Sequence, residues 1–240
     1  VYHFDVRALA WHGITVYFVD YPEYFMRDGL YSNAYDAYED NGERFSFFSG
    51  AVLQTLQALS FTPDVIHCHD WHTAMLPYLL NHERSGFFEQ TKTVFTIHNA
   101  AFQGVHSLEK IPFLRHHPHI FSQVHGGYIN MLQTGIECAS KVTTVSPNYA
   151  DELLTDLGSH GLHERLVKRK ADLSGILNGC DYSQWNPATD AYLPENYSVD
   201  NLQPKRVCKT TLQTRSGLPE NASVPLIGMV CRLTEQKGFG

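Results

Sequence analysis

Residues 63–72 read PDVIHCHDWH, an apolar run of strand length that ends in a cluster of polar, hydrogen-bonding side chains. The same layout recurs at residues 93–99, TVFTIHN, and at residues 225–238, PLIGMVCRLTEQKG. In open α/β sheets, ligands bind in the crevice beyond the carboxyl ends of the strands. Because the polar clusters fall at those ends, the pattern predicts one ligand site that several strands share.

Helical periods separate the strand-like runs. Apolar residues at three- and four-residue steps predict an amphipathic helix over residues 43–59, between a strand at 14–19 and a strand at 65–68, which would form a right-handed crossover unit. Ser146 is predicted to cap a further helix, with Pro147 at its first position. The remaining predicted elements are helices at 71–80, 129–139, 149–157 and 162–171 and strands at 93–97, 142–145 and 175–177. Alternating strands and helices predict an α/β fold with a doubly wound, mostly parallel, Rossmann-like sheet.

The strand period is lost after residue 181, which indicates a connection between domains. A helix at 205–216 and a strand at 226–230 follow. We therefore predict a Rossmann-like domain over residues 1–203, incomplete at its N-terminus, and the start of a second Rossmann-like domain over residues 204–240. The chain begins with Val and stops just after a polar loop, so we expect an internal piece of a longer protein.

Composition excludes several classes of partner. There are 18 Lys and Arg against 25 Asp and Glu, and they form no basic stripe, so no nucleic-acid partner is expected. No apolar run reaches the roughly 20 residues that span a bilayer. This favours a cytoplasmic protein, or a plastid protein if a missing N-terminus carried a targeting segment. The five cysteines are widely spaced without a Cys-x-x-Cys pair, which favours reduced thiols.

The segment 67–72 has three interpretations. Three histidines and an aspartate include ligands that zinc or iron accepts, and His67 and His69 would share one side of a strand, but Trp71 separates Asp70 from the last histidine, His72. Asp70 could instead be a helix N-cap at the strand end. We favour a sugar or nucleotide site in which Asp70 accepts hydrogen bonds from hydroxyl groups and Trp71 offers an apolar platform.

Further candidates lie at the other strand ends. His98 and Asn99 form a polar pair beside the strand that ends near Asp70, and this makes them plausible substrate contacts. Arg232 and Lys237 are five residues apart and could converge on one diphosphate, where fixed cations stabilise a leaving group without a metal. The alternative is two solvated surface cations. The dipeptide Asn178-Gly179 suits a turn with positive φ and a close backbone approach to a ligand.

Five stretches in order resemble the glycogen and starch synthase family, the bacterial and plant type that elongates α-1,4-glucan. They are PDVIHCHDWHTAMLPYLL (63–80), TVFTIHNAAFQG (93–104), TTVSPNYADELL (143–154), GILNGCDYSQWNP (175–187) and RLTEQKG (232–238). The upstream stretches YFVDYPEYFMRDGLY (17–31) and DNGERFSFFSGA (40–51) are similar to the same family. The resemblance therefore runs over nearly the whole chain.

The resemblance implies a glycosyltransferase of the GT-B type, in which two Rossmann-like domains face each other across a cleft. Such an enzyme transfers glucose, with retention, from ADP-glucose or UDP-glucose to the non-reducing end of an α-1,4-glucan, and it needs no metal or other cofactor. The resemblance places His98 beside the donor glucose with Asp70 nearby, and Arg232 and Lys237 on the donor diphosphate. The lining residues that it implies are Trp71, His72, Asn99, Asn178, Gly179 and Asp181.

Two alternatives stay open at this point. A noncatalytic glucan-binding module could use Trp71 and the tyrosine-rich residues 21–38 to stack on sugar. A metal-dependent hydrolase could use His67, His69 and His72. The Lys-Thr-Gly-Gly-Leu loop expected in the family would lie before Val1, so we expect the 240-residue piece to be inactive by itself.

Overall fold

The structure is a computed structural model that describes residues 2–33, 35–83, 85–117, 119–233 and 237–238. Its strands are β1 (Asp5–Trp11), β2 (Ile14–Asp20), β3 (Val65–His69), β4 (Lys92–Ile97), β5 (Val105–Ser107), β6 (Val124–His125), β7 (Tyr128–Asn130), β8 (Lys141–Thr144) and β9 (Leu173–Gly175). Its α-helices are α1 (Pro22–Phe25), α2 (Asn41–Ala58), α3 (Asp70–Thr73), α4 (Met75–Asn81), α5 (Pro112–Arg115), α6 (Met131–Cys138), α7 (Pro147–Glu152), α8 (His163–Lys168) and α9 (Lys205–Arg215). Short 3-10 helices occur at Leu108–Lys110, Ile120–Gln123 and Lys170–Asp172.

A parallel sheet with the strand order β3-β4-β8-β9 lies at the centre of the fold. Cys68 pairs with Phe95, and Phe95 with Val142, in parallel register. The predicted, mostly parallel α/β sheet is confirmed. The sheet order follows the chain order, so right-handed crossovers place the connecting helices on one face. The reversal of strand order that double winding requires does not occur among the strands that the structure describes.

The hydrophobic core lies between this sheet and helices α4 and α6. Met75 and Tyr78 on α4 and Ile136 on α6 are almost fully buried. Gly135 lets α6 approach the sheet closely, since a Cβ at this position would lie 2.8 Å from the ring of Phe95. Each buried side chain of this size contributes roughly 1.5–3 kcal/mol by leaving water, so this layer fixes the positions of the strand ends.

The N-terminal strands depart from the sequence-based prediction. The strand predicted at residues 14–19 exists as β2, but it pairs antiparallel with β1 in a separate two-stranded sheet. The predicted crossover unit from this strand to β3 is therefore wrong. The reason is the turn between the two strands, where His12 and Gly13 both have positive φ, of 47° and 81°. Two such residues favour a tight hairpin, which gives β2 a local antiparallel partner.

Other boundaries differ from the prediction as well, and the helices predicted over 149–157 and 162–171 end earlier, as α7 and α8. The helix predicted over 129–139 begins only at α6, because β7 precedes it and pairs with β5 and β6 in a small antiparallel sheet. The strand predicted at 175–177 is observed as β9, two residues earlier. The helix predicted over 71–80 is divided into α3 and α4 at Ala74. These shifts leave the order of helices and parallel strands unchanged.

The chain forms two units, Val1–Asn178 and Gly179–Gly240, each with its own internal contacts. The domain boundary predicted at residue 203 stays a prediction. In the second unit, the predicted helix at 205–216 is confirmed as α9. The strand predicted at 226–230 is not formed, because these residues have no paired neighbour in the described part of the chain, and Val230 is fully exposed. None of the described helices is both long enough and apolar enough to cross a bilayer.

Arg169, directly after α8, links the end of that helix to the end of α6. Its Nη1 donates to the carbonyl of Ile136 and its Nη2 to the carbonyl of Ala139, both at 2.7 Å. Its Nε donates to the carboxylate of Asp172 at 3.2 Å. A helix end leaves carbonyl groups without intrahelical partners, and here a guanidinium supplies the donors.

Replacing Arg169 by Met is expected to lower the free energy of unfolding by about 2–4 kcal/mol, because hydrogen bonds to charged groups contribute about 1.5–3 kcal/mol each. Urea unfolding followed by circular dichroism measures this change. Lys168→Met, at the exposed neighbouring position, is the matched control and should unfold close to wild type. Equal midpoints for the two variants would show that Arg169 contributes nothing to stability.

Candidate functional site

The candidate site begins where β3 and β4 end side by side. His69, the last residue of β3, lies opposite Thr96 on β4, so Asp70 and His98 follow at the same edge of the sheet. The Oδ1 atom of Asp70 accepts a hydrogen bond from the backbone N–H of His98 at 2.8 Å. The predicted gathering of Asp70 and His98 at adjacent strand ends is therefore present.

The carboxylate of Asp70 does not cap a helix. Helix α3 begins at Asp70 itself, with His69 in the N-cap position. Thr73 secures this first turn, since its hydroxyl accepts the N–H of His69 at 2.6 Å and donates to the carbonyl of His69 at 2.8 Å. Asp70 has a φ of 55°, in the left-handed region that non-glycine residues rarely adopt. The chain thus turns sharply here and directs the carboxylate to His98.

A row of polar side chains continues from His98 along the exposed face of the sheet. Nε2 of His98 lies 3.1 Å from Nδ1 of His69, and the rings of His69 and His67 are 4.1 Å apart. Nε2 of His67 lies 2.7 Å from the hydroxyl of Thr96. Burial, followed by the neighbouring imidazoles of His67 and His98, lowers the pKa of His69. The side chain of His98 is exposed and so is available to a ligand.

His72 lies among aromatic rings and not beside the other two histidines of its segment. Its ring is 4.6 Å from that of Tyr31 and 4.8 Å from that of Phe45. Burial lowers the pKa of His72 to about 4, so its imidazole is neutral at pH 7. No group of three or more His, Cys, Asp or Glu side chains converges as a metal site within the described residues. The geometry required by the metal interpretation of residues 67–72 is not found.

Trp71 belongs to the hydrophobic core and is only 8% exposed. Its indole packs against the backbone of Gly104, where a Cβ would lie 2.3 Å from the ring. Gly104 also has a positive φ of 61°. The prediction that Trp71 offers an apolar platform for a sugar is wrong, because protein covers its ring. Its place among the lining residues stays a prediction.

The loop after β4 is held by Tyr149, which the sequence did not indicate, and by Asn99. Tyr149 on α7 accepts the backbone N–H of Ala100 through its hydroxyl at 3.0 Å. Asn99, predicted as a substrate contact, accepts the N–H of Ala101 through Oδ1 at 3.0 Å and thereby shapes the turn beside His98. Tyr149 lies 49 residues from Ala100 in the chain, so local sequence patterns carry no sign of this contact.

The other predicted residues lie at or beyond the division between the units. Asp181 accepts the N–H of Ser183 at 2.9 Å and its hydroxyl at 2.6 Å, and these bonds lower the pKa of Asp181. Neither residue of the Asn178-Gly179 dipeptide has a positive φ, so the turn predicted there is wrong. Arg232 and Lys237 are both exposed, and residues 234–236 between them lie outside the described residues. The ligand-binding roles of these residues stay predictions.

A parallel sheet with hydrogen-bonding side chains gathered at adjacent strand ends is the arrangement with which open α/β domains bind their ligands. Comparison with known proteins identifies the family. Residues 1–168 match the family described as the starch synthase catalytic domain, and the chain belongs to that family. The resemblance found in the sequence is confirmed.

The chain is similar to the glycogen synthases of Aeromonas salmonicida and Vibrio cholerae. It is 52% identical to the first over 240 residues, covering 98% of this chain and 49% of that protein. It is 52% identical to the second over 235 residues, covering 95% of this chain and 48% of that protein. The chain thus spans about half the length of these relatives.

The fold is similar to that of a solved structure, the catalytic domain of starch synthase IV from Arabidopsis thaliana bound to ADP and acarbose. The TM-score is 0.73 at 32% sequence identity, covering 90% of this chain and 45% of that chain. This likeness confirms the predicted fold class, a mostly parallel α/β fold of the GT-B glycosyltransferase type.

The aromatic surroundings of His72 predict a pH dependence of stability. The folded pKa of about 4 lies below the ordinary value of 6.5, so the unfolded chain takes up its proton first as the pH falls. The contribution of His72 to stability is complete above pH 6.5 and is lost as the pH falls towards 4. His72→Phe should remove up to one proton from this dependence, about 1.4 kcal/mol per pH unit at its steepest.

Thermal or urea unfolding of wild type and His72→Phe between pH 4 and pH 7 measures the difference. The same substitution at the exposed His125 is the matched control. Parallel stability curves for wild type and His72→Phe would contradict the assignment of a neutral, enclosed imidazole.

Proposed function

We propose that the parent protein transfers glucose, with retention, from ADP-glucose or UDP-glucose to the non-reducing end of an α-1,4-glucan. Three findings support this proposal. The chain belongs to the starch synthase catalytic domain family. It is 52% identical to proteins named glycogen synthase. The similar starch synthase IV domain is bound to ADP, which is the nucleotide part of ADP-glucose, and to acarbose.

The observation that carries the proposal is the 2.8 Å hydrogen bond between Asp70 and the backbone of His98. It holds an exposed imidazole and a carboxylate together at the edge where parallel α/β sheets bind their ligands. Imidazole and carboxylate groups are suited to the hydroxyl groups of a sugar, because both accept hydrogen bonds and an imidazole N–H also donates one. In this proposal His98 lies beside the donor glucose, and Asp70 holds His98 and adjacent sugar hydroxyls.

Arg232 and Lys237 are proposed to bind the donor diphosphate. Negative charge develops on the diphosphate oxygens as the bond to glucose breaks, and fixed cations stabilise that charge without moving. A guanidinium binds two phosphate oxygens at once, whereas an ammonium acts as a point charge. The residues proposed to line the site are Trp71, His72, Asn99, Asn178, Gly179 and Asp181.

Replacing Lys237 by Ala in the full-length parent should reduce glucose transfer by about 10²-fold or more, the scale observed when one charge-stabilising donor is removed. The assay follows labelled glucose from ADP-glucose and, separately, from UDP-glucose into glucan. Lys168→Ala, at an exposed position of the first unit, is the control and should leave the rate unchanged. Activity of Lys237→Ala within a factor of two of wild type would refute the proposed role.

Two substitutions of Asp70 distinguish its two proposed roles, which are to hold the backbone of His98 and to bind sugar hydroxyls. Asp70→Asn retains an oxygen that can accept the N–H of His98, whereas Asp70→Ala has none. If the bond to His98 organises the site, Asp70→Ala should reduce kcat/KM about 10²-fold and Asp70→Asn substantially less. Equal losses in the two variants would show that the charge, and not the bond to His98, carries the effect.

A further inference from the structure

A loop of residues 22–40, rich in tyrosine, surrounds the buried side chain of Arg44. This segment, without residue 34, is called the tyrosine loop below. Arg44 lies in the first turns of α2 and is 3% exposed. Its Nε donates to the carbonyl of Tyr24 at 2.7 Å, and both of its Nη atoms lie 3.3 Å from the carbonyl of Leu30. Backbone carbonyls of α1 and of the irregular residues after it therefore satisfy a buried guanidinium.

Asn41 binds the next residue of the tyrosine loop, Tyr31, as well as Arg44. It is 4% exposed, and its Oδ1 accepts a hydrogen bond from Nη1 of Arg44 at 2.5 Å. Its Nδ2 donates to the carbonyl of Tyr31 at 2.8 Å. Arg44 and Asn41 thus hold the consecutive carbonyls of Leu30 and Tyr31 from the N-terminal end of one helix.

The energetics make the loop and Arg44 dependent on each other. A buried charge that loses its partners carries a penalty of several kcal/mol, so the guanidinium cannot release the loop carbonyls without replacing them. The rings of Tyr38 and Phe45 add to this, each with its centroid 5.2 Å from the guanidinium carbon, within the range of cation–π attraction. The hydrogen bonds of Arg44 therefore hold the backbone of the tyrosine loop in one position.

The tyrosine loop reaches His72, the end of the segment 67–72. The ring of Tyr31 lies 4.6 Å from that of His72, two residues after Asp70, and Tyr31 is 48% exposed. Phe45 contacts the same imidazole in an edge-to-face arrangement at 4.8 Å. A half-exposed aromatic ring can contact the apolar face of a sugar, whereas the ring of Trp71 is buried.

We infer that Arg44 and Asn41 are positioning residues, which fix Tyr31 against His72 so that the exposed part of its ring contacts a sugar unit at the strand ends. The inference rests on the proposed function and adds to it the part of the protein that shapes the sugar-binding surface. Neither residue touches the substrate. Both act through the backbone of Leu30 and Tyr31.

Asn41→Asp is the sharpest test, because it retains the oxygen that accepts from Arg44 and replaces the donor to the carbonyl of Tyr31 by a negatively charged carboxylate oxygen, which repels that carbonyl. In the full-length parent, we expect KM for the sugar substrate that contacts Tyr31, glucan or nucleotide-glucose, to rise about fivefold or more. The value of kcat should change less than twofold, the pattern of lost uniform binding. Arg44→Lys should raise the same KM, because an ammonium cannot reproduce the forked donors.

Arg27→Lys is the matched control on the same loop. Arg27 pairs with the carboxylate of Asp40 at 2.7 and 2.5 Å and donates to the carbonyl of Glu23, so it leaves the carbonyls of residues 30 and 31 untouched. Its KM values should stay within twofold of wild type. A double variant tests whether Asn41 acts through Tyr31. If it does, adding Asn41→Asp to Tyr31→Ala should not raise KM further.

The outcomes separate the inference from the function on which it rests. A wild-type parent that neither transfers glucose nor binds glucan in calorimetry would overturn both. An active parent whose Asn41→Asp variant has unchanged KM values, with or without a lower melting temperature, would overturn the inference alone. Additive effects of Asn41→Asp and Tyr31→Ala would also overturn it, because two substitutions acting through one contact cannot add.

Discussion

The hydrogen bond between the Asp70 carboxylate and the backbone N–H of His98 is the constraint on which the candidate site depends. It joins the ends of two adjacent parallel strands at the point where the sheet hydrogen bonds stop. Asp70 adopts a left-handed conformation to make it, with φ at 55°, and such a conformation costs about 1–2 kcal/mol for an L-residue. A charge-assisted hydrogen bond offsets a penalty of that size. Without this bond, the segments after β3 and β4 could diverge, and the polar groups at their ends would no longer face one ligand.

Three irregular segments around the site are held by side chains from helices. Asp70, in the first turn of α3, holds the backbone of His98. Tyr149 on α7 holds the next turn through the N–H of Ala100. Arg44 on α2 holds the loop that carries Tyr31. In each case a regular element, anchored by the hydrophobic core, donates or accepts a bond at a loop backbone that has no regular partner of its own. The loops are therefore positioned by elements that the core anchors.

The sequence correctly predicted the features that depend on the pattern of neighbouring residues. The strands before His69 and His98 were predicted correctly, and Ser146 accepts the N–H of Tyr149 at 2.9 Å, as expected of the predicted cap. Features that depend on residues far apart in the chain could not be predicted from the sequence. Trp71 follows a strand end, as an exposed platform residue would, yet Gly104 lies against its ring. Arg44 has the spacing of an ordinary charge in the first turns of a helix, and only the folded loop shows that it is buried. The hairpin of β1 and β2 had a local signal, the pair His12-Gly13, which could have been recognised.

Strand order also explains why one face of the sheet is polar. Because β3, β4, β8 and β9 follow one another in the sheet as they do in the chain, the connecting helices cover a single face, and Cys68, Phe95 and Val142 are buried there. Alternate residues point to the opposite face. On that face, the hydroxyl of Thr96 lies 2.7 Å from His67 and 2.6 Å from the hydroxyl of Thr143. This row crosses three strands and reaches His98 through the rings of His67 and His69. β8 is therefore connected to the imidazole at the strand ends through side-chain hydrogen bonds and one ring contact, so the polar face of the sheet forms part of the support of the site.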